Sequence, residues 1–593
     1  VQLRRLAARD WQHRQQIANL ERRLTAALRE AYVRSADESR ATLLAGYLED
    51  EAAATRLLGL ELAQARIAEG KEIGEPLRQR VRSLLQADEP EVRAAAVQTT
   101  AALRDSSDER RFLDLLAGES ESLVRRTLLN GLGYVGSDSA ADALLSWARS
   151  EDAGAANEAI TALGRLAARG VLSDENRRRV AEMLLAIYER TDSTAAATRE
   201  RLLGALGPLT DARAGTVFTS ALTPDEPVAV RLAAIRGIGL LLASSAGAPG
   251  VGASPTAPRA ELLAALIPQV SDPDAGVRRA CVDLLAQYGE GDDVLAALWE
   301  RLASDAESDE NIRNSAWKGA ARILASRPAN EILAWTERLP VNGAVQRRRT
   351  LELLLMAERK LAAANPPDAA ALGRTRVRIA VLQLASDRLD DALATYQRAV
   401  RDLHAAQSPE LQKVAVELTR ISLLSNRFDD SLAKVLADCR PALNTDNLWK
   451  ELRPAVEDRL KPQTLAQAQD ILAALARAGD LWSESTAADI QALAQHAAEL
   501  HRRAVAEDVN AALVELRADP QNAAARERIV AHGREAAPAL RAALESTLSA
   551  EPVDAEAERR IHDLLKQVLP DWPGFAADAP LETKRQALAA IPT

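Results

Sequence analysis

Six histidines, two cysteines, one glycine-rich run and several adjacent carboxylates are the places in this 593-residue chain where side-chain type and spacing could support chemistry. Gly131-Leu132-Gly133-Tyr134-Val135-Gly136 is a literal GxGxxG. Between a strand and a helix, such a run brings backbone amides against a pyrophosphate. Here it closes an apolar helical stretch, and Gly136-Ser137 reads as a helix stop followed by an N-cap. Asp272-Pro273-Asp274-Ala275-Gly276 opens like a calcium loop but lacks the third carboxylate and the closing Glu, so it reads as a turn. His496 and His501 fall on different faces of a helix, and His13, His404, His532 and His562 stand alone. Cys281 and Cys439 have no Cys or His at ligand spacing, which predicts two buried, inert thiols and neither a disulfide nor a zinc site. The pairs Asp292-Asp293, Asp390-Asp391 and Asp429-Asp430 suit helix starts, where carboxylates favour the dipole and face water. No HExxH, GxSxG, P-loop or paired-cysteine motif occurs. The expectation is a non-catalytic chain with no cofactor and no metal.

The elements that would have to position any site are helices. Aromatics make up 3% of the chain against 47% hydrophobic residues. A mixture dominated by Ala, Leu, Arg and Glu forms helices and offers little from which to build a sheet. The net charge of −10 comes from 85 acidic and 75 basic residues spread along the length. That distribution lacks the basic footprint that neutralises phosphates, so nucleic acid is not an expected partner. The longest apolar stretch, Gly237 to Ala243, falls short of the roughly 18 residues of a membrane span, so no span is expected. The chain opens at Val1, which leaves room for a signal peptide or anchor upstream and leaves the compartment open between cytoplasm and envelope.

A short polar turn, a Val-Arg-like pair and an Ala/Leu/Gly-spaced helix recur along the first half. The pairs are Thr55-Arg56, Val92-Arg93, Val124-Arg125, Thr198-Arg199, Val230-Arg231, Val277-Arg278 and Ile312-Arg313, with degenerate copies at Ala155-Ala156 and near Arg347. Steps of 31 to 47 residues suit two short helices per unit. Small residues such as Gly131, Gly133, Gly164 and Gly237 recur where helices would touch. A helix pair of this size cannot bury its own apolar face, so stacking on neighbours is obligatory.

The segments "SDPDAGVRRACVDLL", "PDEPVAVRLAAIRGIG" and "DEPEVRAAAVQTTAAL" resemble the second helix of HEAT repeats, particularly the short bacterial kind. The resemblance covers residues 37 to 363 and implies a right-handed α-solenoid of stacked hairpins. It also implies a ladder in which a turn Asp and the second-helix Arg hydrogen-bond between repeats. Asp225 with Arg231 and Asp272 with Arg278 match that pattern, with Arg56, Arg93, Arg125, Arg199 and Arg313 at the same position and the ladder broken at Ala156.

The chain divides into residues 1–36, an N-terminal helix acting as a cap or coiled-coil arm; 37–363, the HEAT-like array; 364–516; and 517–593, a helical cap with an irregular tail. Within the array, the Ser, Gly and Pro of 244–258 read as an exposed loop. In 364–516, "RIAVLQLASDRLDDALATYQRAV" resembles a tetratricopeptide helix pair, with Ala392, Tyr396 and Ala399 at its small, aromatic and small positions. Along 1–34, Leu3, Leu6, Ile17, Leu20, Leu24 and Leu28 form a stripe interrupted by Asp10 and His13, and packing on the first repeat is the favoured arrangement.

Trp299, Trp317 and Trp335 recur at intervals of 18 and, with Arg347, Arg348 and Arg349, form the candidate partner-binding surface. Inter-repeat core is the plainer role for the tryptophans. The expected function is a scaffold that holds protein partners. A self-assembling coat or envelope component is the alternative, and resemblance to bilin lyases or HEAT-fold DNA glycosylases is a more remote one.

Overall fold

A computed structural model describes residues 2–246, 259–303, 306–339 and 343–591, and all the regular structure in them is helical. The chain forms two compact units, 1–326 and 327–593.

The first unit opens with α1 (Gln2–Arg34) and continues as hairpins. These pair α2 (Asp37–Glu49) with α3 (Ala53–Ala68), α4 (Glu75–Ser83) with α5 (Pro90–Ala102), and α6 (Glu109–Gly118) with α7 (Ser122–Val135). The same pattern joins α8 (Ala141–Ala148) to α9 (Ala153–Ala168), α10 (Asp174–Arg190) to α11 (Ala196–Leu206), and α12 (Ala214–Ser220) to α13 (Val228–Ala246). Two more follow, α14 (Arg259–Leu266) with α15 (Ala275–Tyr288) and α16 (Gly291–Glu300) with α17 (Glu310–Ala325). Each odd-numbered helix from α3 to α17 packs on the next odd-numbered one, giving a continuous second row.

Local chemistry starts these second-row helices. Pro90 sits in the first turn of α5, where its missing N–H costs nothing. Asp152, Asp274 and Asp309 cap α9, α15 and α17 by accepting from backbone N–H groups of the first turn. Small residues set the spacing of the row: a Cβ on Gly164 of α9 would stand 2.7 Å from Ala205 Cα of α11. The repeat residues Val92, Val124, Val230, Val277 and Ile312 are all fully shielded, as the stacked arrangement requires.

Three expectations change. First, α13 is long and apolar enough to meet the composition of a membrane span over Val228–Ser245, because Leu240 to Leu242 extend a run broken only by two arginines. Val230, Ala234, Ile238 and Leu242 of that helix are buried, and it packs on α11, α12 and α15 as a core helix of the stack. Second, α13 carries Ser244 and Ser245 in its last turn, so the expected loop begins later; residues 247–258 lie outside the described residues. Third, among the described side chains of α1 the contacts with the stack lie near its C-terminal end. There Tyr32 is buried, Tyr47 Oη donates to the Leu28 carbonyl at 3.0 Å, and Arg29 pairs with Glu61. The stripe residues Ile17, Leu20 and Leu24 are 55%, 64% and 50% exposed.

The second unit is also built of hairpins. The helices Ala369–Leu384 and Leu389–Ala405 pack closely, with Ala392, Tyr396 and Ala399 buried between them and their neighbours. Arg376 donates to Glu358 at 2.7 Å and to Asp402 at 2.6 Å, tying three successive helices together. The 35-residue helix Glu484–Ala518 is shared by two hydrophobic cores. Ile490 and Ala497 belong to a core that runs back to Ala380, while Val505, Val509 and Leu513 belong to one that runs on to Ile591.

Candidate functional site: a groove across the second-row helices

The side chains with chemical potential occupy structural places. Cys281 and Cys439 are both buried, and burial pushes their thiols up to about 12 and about 11. The GxGxxG glycines lie on α7 and its C-terminal cap rather than between a strand and a helix. Asp292 and Asp293 begin α16, Asp390 and Asp391 begin Leu389–Ala405, and Asp429 caps the helix that Asp430 opens. Among the described residues no three His, Cys, Asp or Glu side chains converge as a metal site.

The ladder arginines are brought together with acids of the following repeat. Arg56 pairs with Glu89, Arg93 with Glu119, Arg125 with Asp152, Arg199 with Glu226, Arg231 with Asp272 and Arg278 with Glu307. Each acid lies in the turn that precedes the next second-row helix. Most of these arginines also clamp their own turn. Arg278 Nη1 donates to the Asp272 and Pro273 carbonyls at 2.9 and 3.0 Å, and Arg313 Nη1 to those of Glu307 and Ser308 at 2.7 and 2.8 Å. A single guanidinium thus fixes one turn through its carbonyls and the next through a carboxylate.

Two assignments are corrected. Asp225 is exposed and outside the ladder, because its neighbour Glu226, one methylene longer, takes the bond from Arg199. Asp272 gives its carboxylate to Arg231 of the preceding repeat and only its backbone carbonyl to Arg278. The rungs differ in how many guanidinium donors they use. Glu119 and Glu307 accept Nε and Nη2 together from Arg93 and Arg278, whereas the Nε atoms of Arg56, Arg199 and Arg231 are buried without a partner.

The expected partner-binding cluster is less open than its composition suggested. Trp317 is only 9% exposed and packs on half-buried Trp299, ring centres 6.5 Å apart and planes tilted by 50°. Trp335, in the second unit, is half-buried with Arg338 4.2 Å over its ring. Arg348 is exposed and Arg347 half-buried, but Arg349 is 6% exposed. Trp317 thus takes the plainer of its two roles, inter-repeat core, and Arg349 is corrected from a surface anchor to a packed residue: α17 and the helix Ala344–Ala363 turn them inward.

The feature that sequence reasoning missed is an open groove of about 830 Å³ across α3, α5 and α7, reaching α9 at Glu158. Its floor is made of small residues, Ala101 and Ala102 of α5 and Gly131 of α7. A Cβ on Gly131 would stand 2.7 Å from Cε2 of fully buried Phe112, so the close packing of α7 on α6 requires a glycine there. One end is internally satisfied. Asn130 donates to Glu158 at 2.6 Å and accepts from Arg165 at 3.0 Å, and Arg165 lies 4.4 Å over the Tyr134 ring. Arg104, held in the left-handed region at φ 56°, Arg126 and exposed Leu123 also line the groove. Arg126 donates only to the Ser122 carbonyl, and neither arginine has a carboxylate partner among the described residues.

A family model described as HEAT repeats matches residues 215–318, which span α12 to α17. No curated protein matches the chain by sequence. Among structures, it is similar to a homology model of the full-length AP-3 complex in an intermediate open conformation, at 12% identity and a TM-score of 0.50. That likeness covers 97% of this chain and 99% of the other. It is also similar to yeast importin-β (Kap95p), at 12% identity and a TM-score of 0.38, covering 96% and 87%. The Kap95p complex with RanGDP gives 13% identity and 0.38, covering 92% and 82%. At these identities the likeness concerns the fold, an all-helical solenoid with HEAT repeats.

Proposed function

We propose that this chain is a non-catalytic scaffold whose first unit holds a protein partner in the groove over α3, α5 and α7. The observation that carries the reading is a groove of about 830 Å³ built on successive repeats, with a floor of small residues and two arginines that have no carboxylate partner among the described residues. A stacked array offers a long, rigid surface at little conformational cost, which suits holding rather than turnover. Segment 364–516 is read here as tetratricopeptide-like hairpins and 517–593 as a cap, each offering further surface.

The test is site-specific photo-crosslinking in the native cell. A photoreactive residue in place of Leu123 should give discrete protein adducts that the same residue in place of Val381, exposed in the second unit, does not. Adducts no different between the two positions would overturn the groove as the holding site.

A second reading, assembly with copies of itself, is favoured by one observation: the exposed heptad stripe of Ile17, Leu20 and Leu24 on α1. Sedimentation equilibrium distinguishes it, since assembly predicts a mass that falls to the monomer value when Leu20 and Leu24 are changed to Glu.

A further inference from the structure

We infer that the groove over α3, α5 and α7 recognises an acidic, aliphatic peptide segment, its carboxylates held by Arg104 and Arg126 and its apolar side chain lodged against Leu123 and Ala102. This deepens the scaffold reading and rests on it.

The argument begins with how this unit uses its arginines. Those at the repeat position, from Arg56 to Arg278, face a carboxylate of the next turn, and elsewhere Arg82 binds Asp105 and Asp108 while Arg66 binds Asp37. Arg104 and Arg126 depart from that pattern while sharing one cavity. Glu158, the one acid among the lining residues, accepts from Asn130 at 2.6 Å and forms no ion pair with either arginine, so the lining carries a net positive charge. Two unneutralised cations in one groove with partly apolar walls raise the local potential for an anion, and a planar guanidinium matches a carboxylate through two parallel hydrogen bonds.

The floor narrows the choice of anion. Ala101, Ala102 and Gly131 leave room for backbone to approach closely, and exposed Leu123 with partly buried Ile67 gives an aliphatic residue something to cover. Groups that bind only phosphate would not need that apolar strip, and a nucleic-acid backbone would meet a chain of net charge −10. A peptide carrying Asp or Glu next to Leu or Val satisfies the cations, the strip and the overall charge together.

The experiment is a peptide array probed with the full chain, followed by fluorescence anisotropy on the selected sequences. Enrichment of Asp and Glu beside Leu or Val is expected, with binding weakened on the order of tenfold by Arg104→Glu or Arg126→Glu and reduced by added salt. Arg348→Glu, an exposed arginine elsewhere, is the control that should leave binding unchanged. Charge reversal can disturb folding, so Arg126→Gln, with its helix content and melting checked, serves as the second variant. Enrichment of basic or uncharged peptides that Leu123→Asp abolishes would sink the acidic preference but keep the groove as a holding site. Binding by inorganic phosphate or single-stranded DNA that Arg126→Glu removes, with no peptide enriched, would overturn the inference. Peptide binding that no groove variant changes would overturn both this inference and the scaffold reading of the groove.

Discussion

Arg231 Nη2 donates to Asp272 Oδ1 at 3.0 Å, joining two turns 41 residues apart with side chains only 6% and 2% exposed. Removing one partner from a pair this deeply shielded leaves an uncompensated charge. Asp272→Ala should therefore lower stability by about 3–5 kcal/mol. Asp225→Ala, at an exposed position outside the ladder, should stay within about 0.5 kcal/mol. Urea denaturation of both variants, with amide exchange in α13 and α15 as the local readout, checks the contrast. Equal losses would refute the offset pairing.

Acid should loosen the ladder at specific rungs. The Arg278 hydrogen bond is the main cause that lowers the Glu307 carboxyl, and Glu119 is also lowered, there against the opposing effect of burial. A carboxyl whose folded pKa is depressed contributes stability that is complete above its unfolded value, about 4.3 for Glu, and lost as pH falls through the folded value. Glu307→Gln should be the less stable protein at neutral pH, and the gap should start to close below about pH 4.3 and vanish as pH falls through the lowered folded value. Melting temperature against pH for the two proteins provides the measurement.

Gly131 sits where the groove floor meets Phe112. With a Cβ there 2.7 Å from a fully buried ring, Gly131→Ala should cost about 1–3 kcal/mol through overpacking. Phe112→Leu in the same chain should recover part of that loss by vacating the contested space. If the alanine variant melts with the parent, α6 and α7 are not held as closely as described.

The exposed part of α1 contributes little packing. Ile17→Glu and Leu24→Glu should each change the stability of the first unit by no more than about 0.5 kcal/mol, whereas Tyr32→Ala, at the buried end, should lower it measurably. Large losses from the stripe substitutions in dilute protein would mean that α1 lies against the stack.

How much of this was legible can be traced to particular residues. The Val-Arg register located the second-row helices because burial at Val92, Val230 and Val277 imposes a repeating sequence constraint. The partners of the arginines were misplaced because a linear reading looks within one turn, whereas stacking sets each guanidinium beside the following turn. A signal was present: Glu89, Glu119, Asp152, Glu226, Asp272 and Glu307 all stand four to six residues before the next repeat position. The groove left no such trace, since it depends on what is small on α5 and α7 and on lateral distances between helices. Arg349 was misjudged because residue type and spacing do not reveal which way a helix is turned.

The shared helix Glu484–Ala518 bears on how such a chain can be rearranged by deletion or grafting. In the first unit a cut between two repeats breaks rungs and one stacking face, so hairpins there are exchangeable parts. Within Glu484–Ala518 no such cut exists, because any break removes a wall from both cores at once. The segment from Ala380 to Ile591 should therefore tolerate truncation or grafting only as a single piece, and interchangeability ends where one helix serves two interiors.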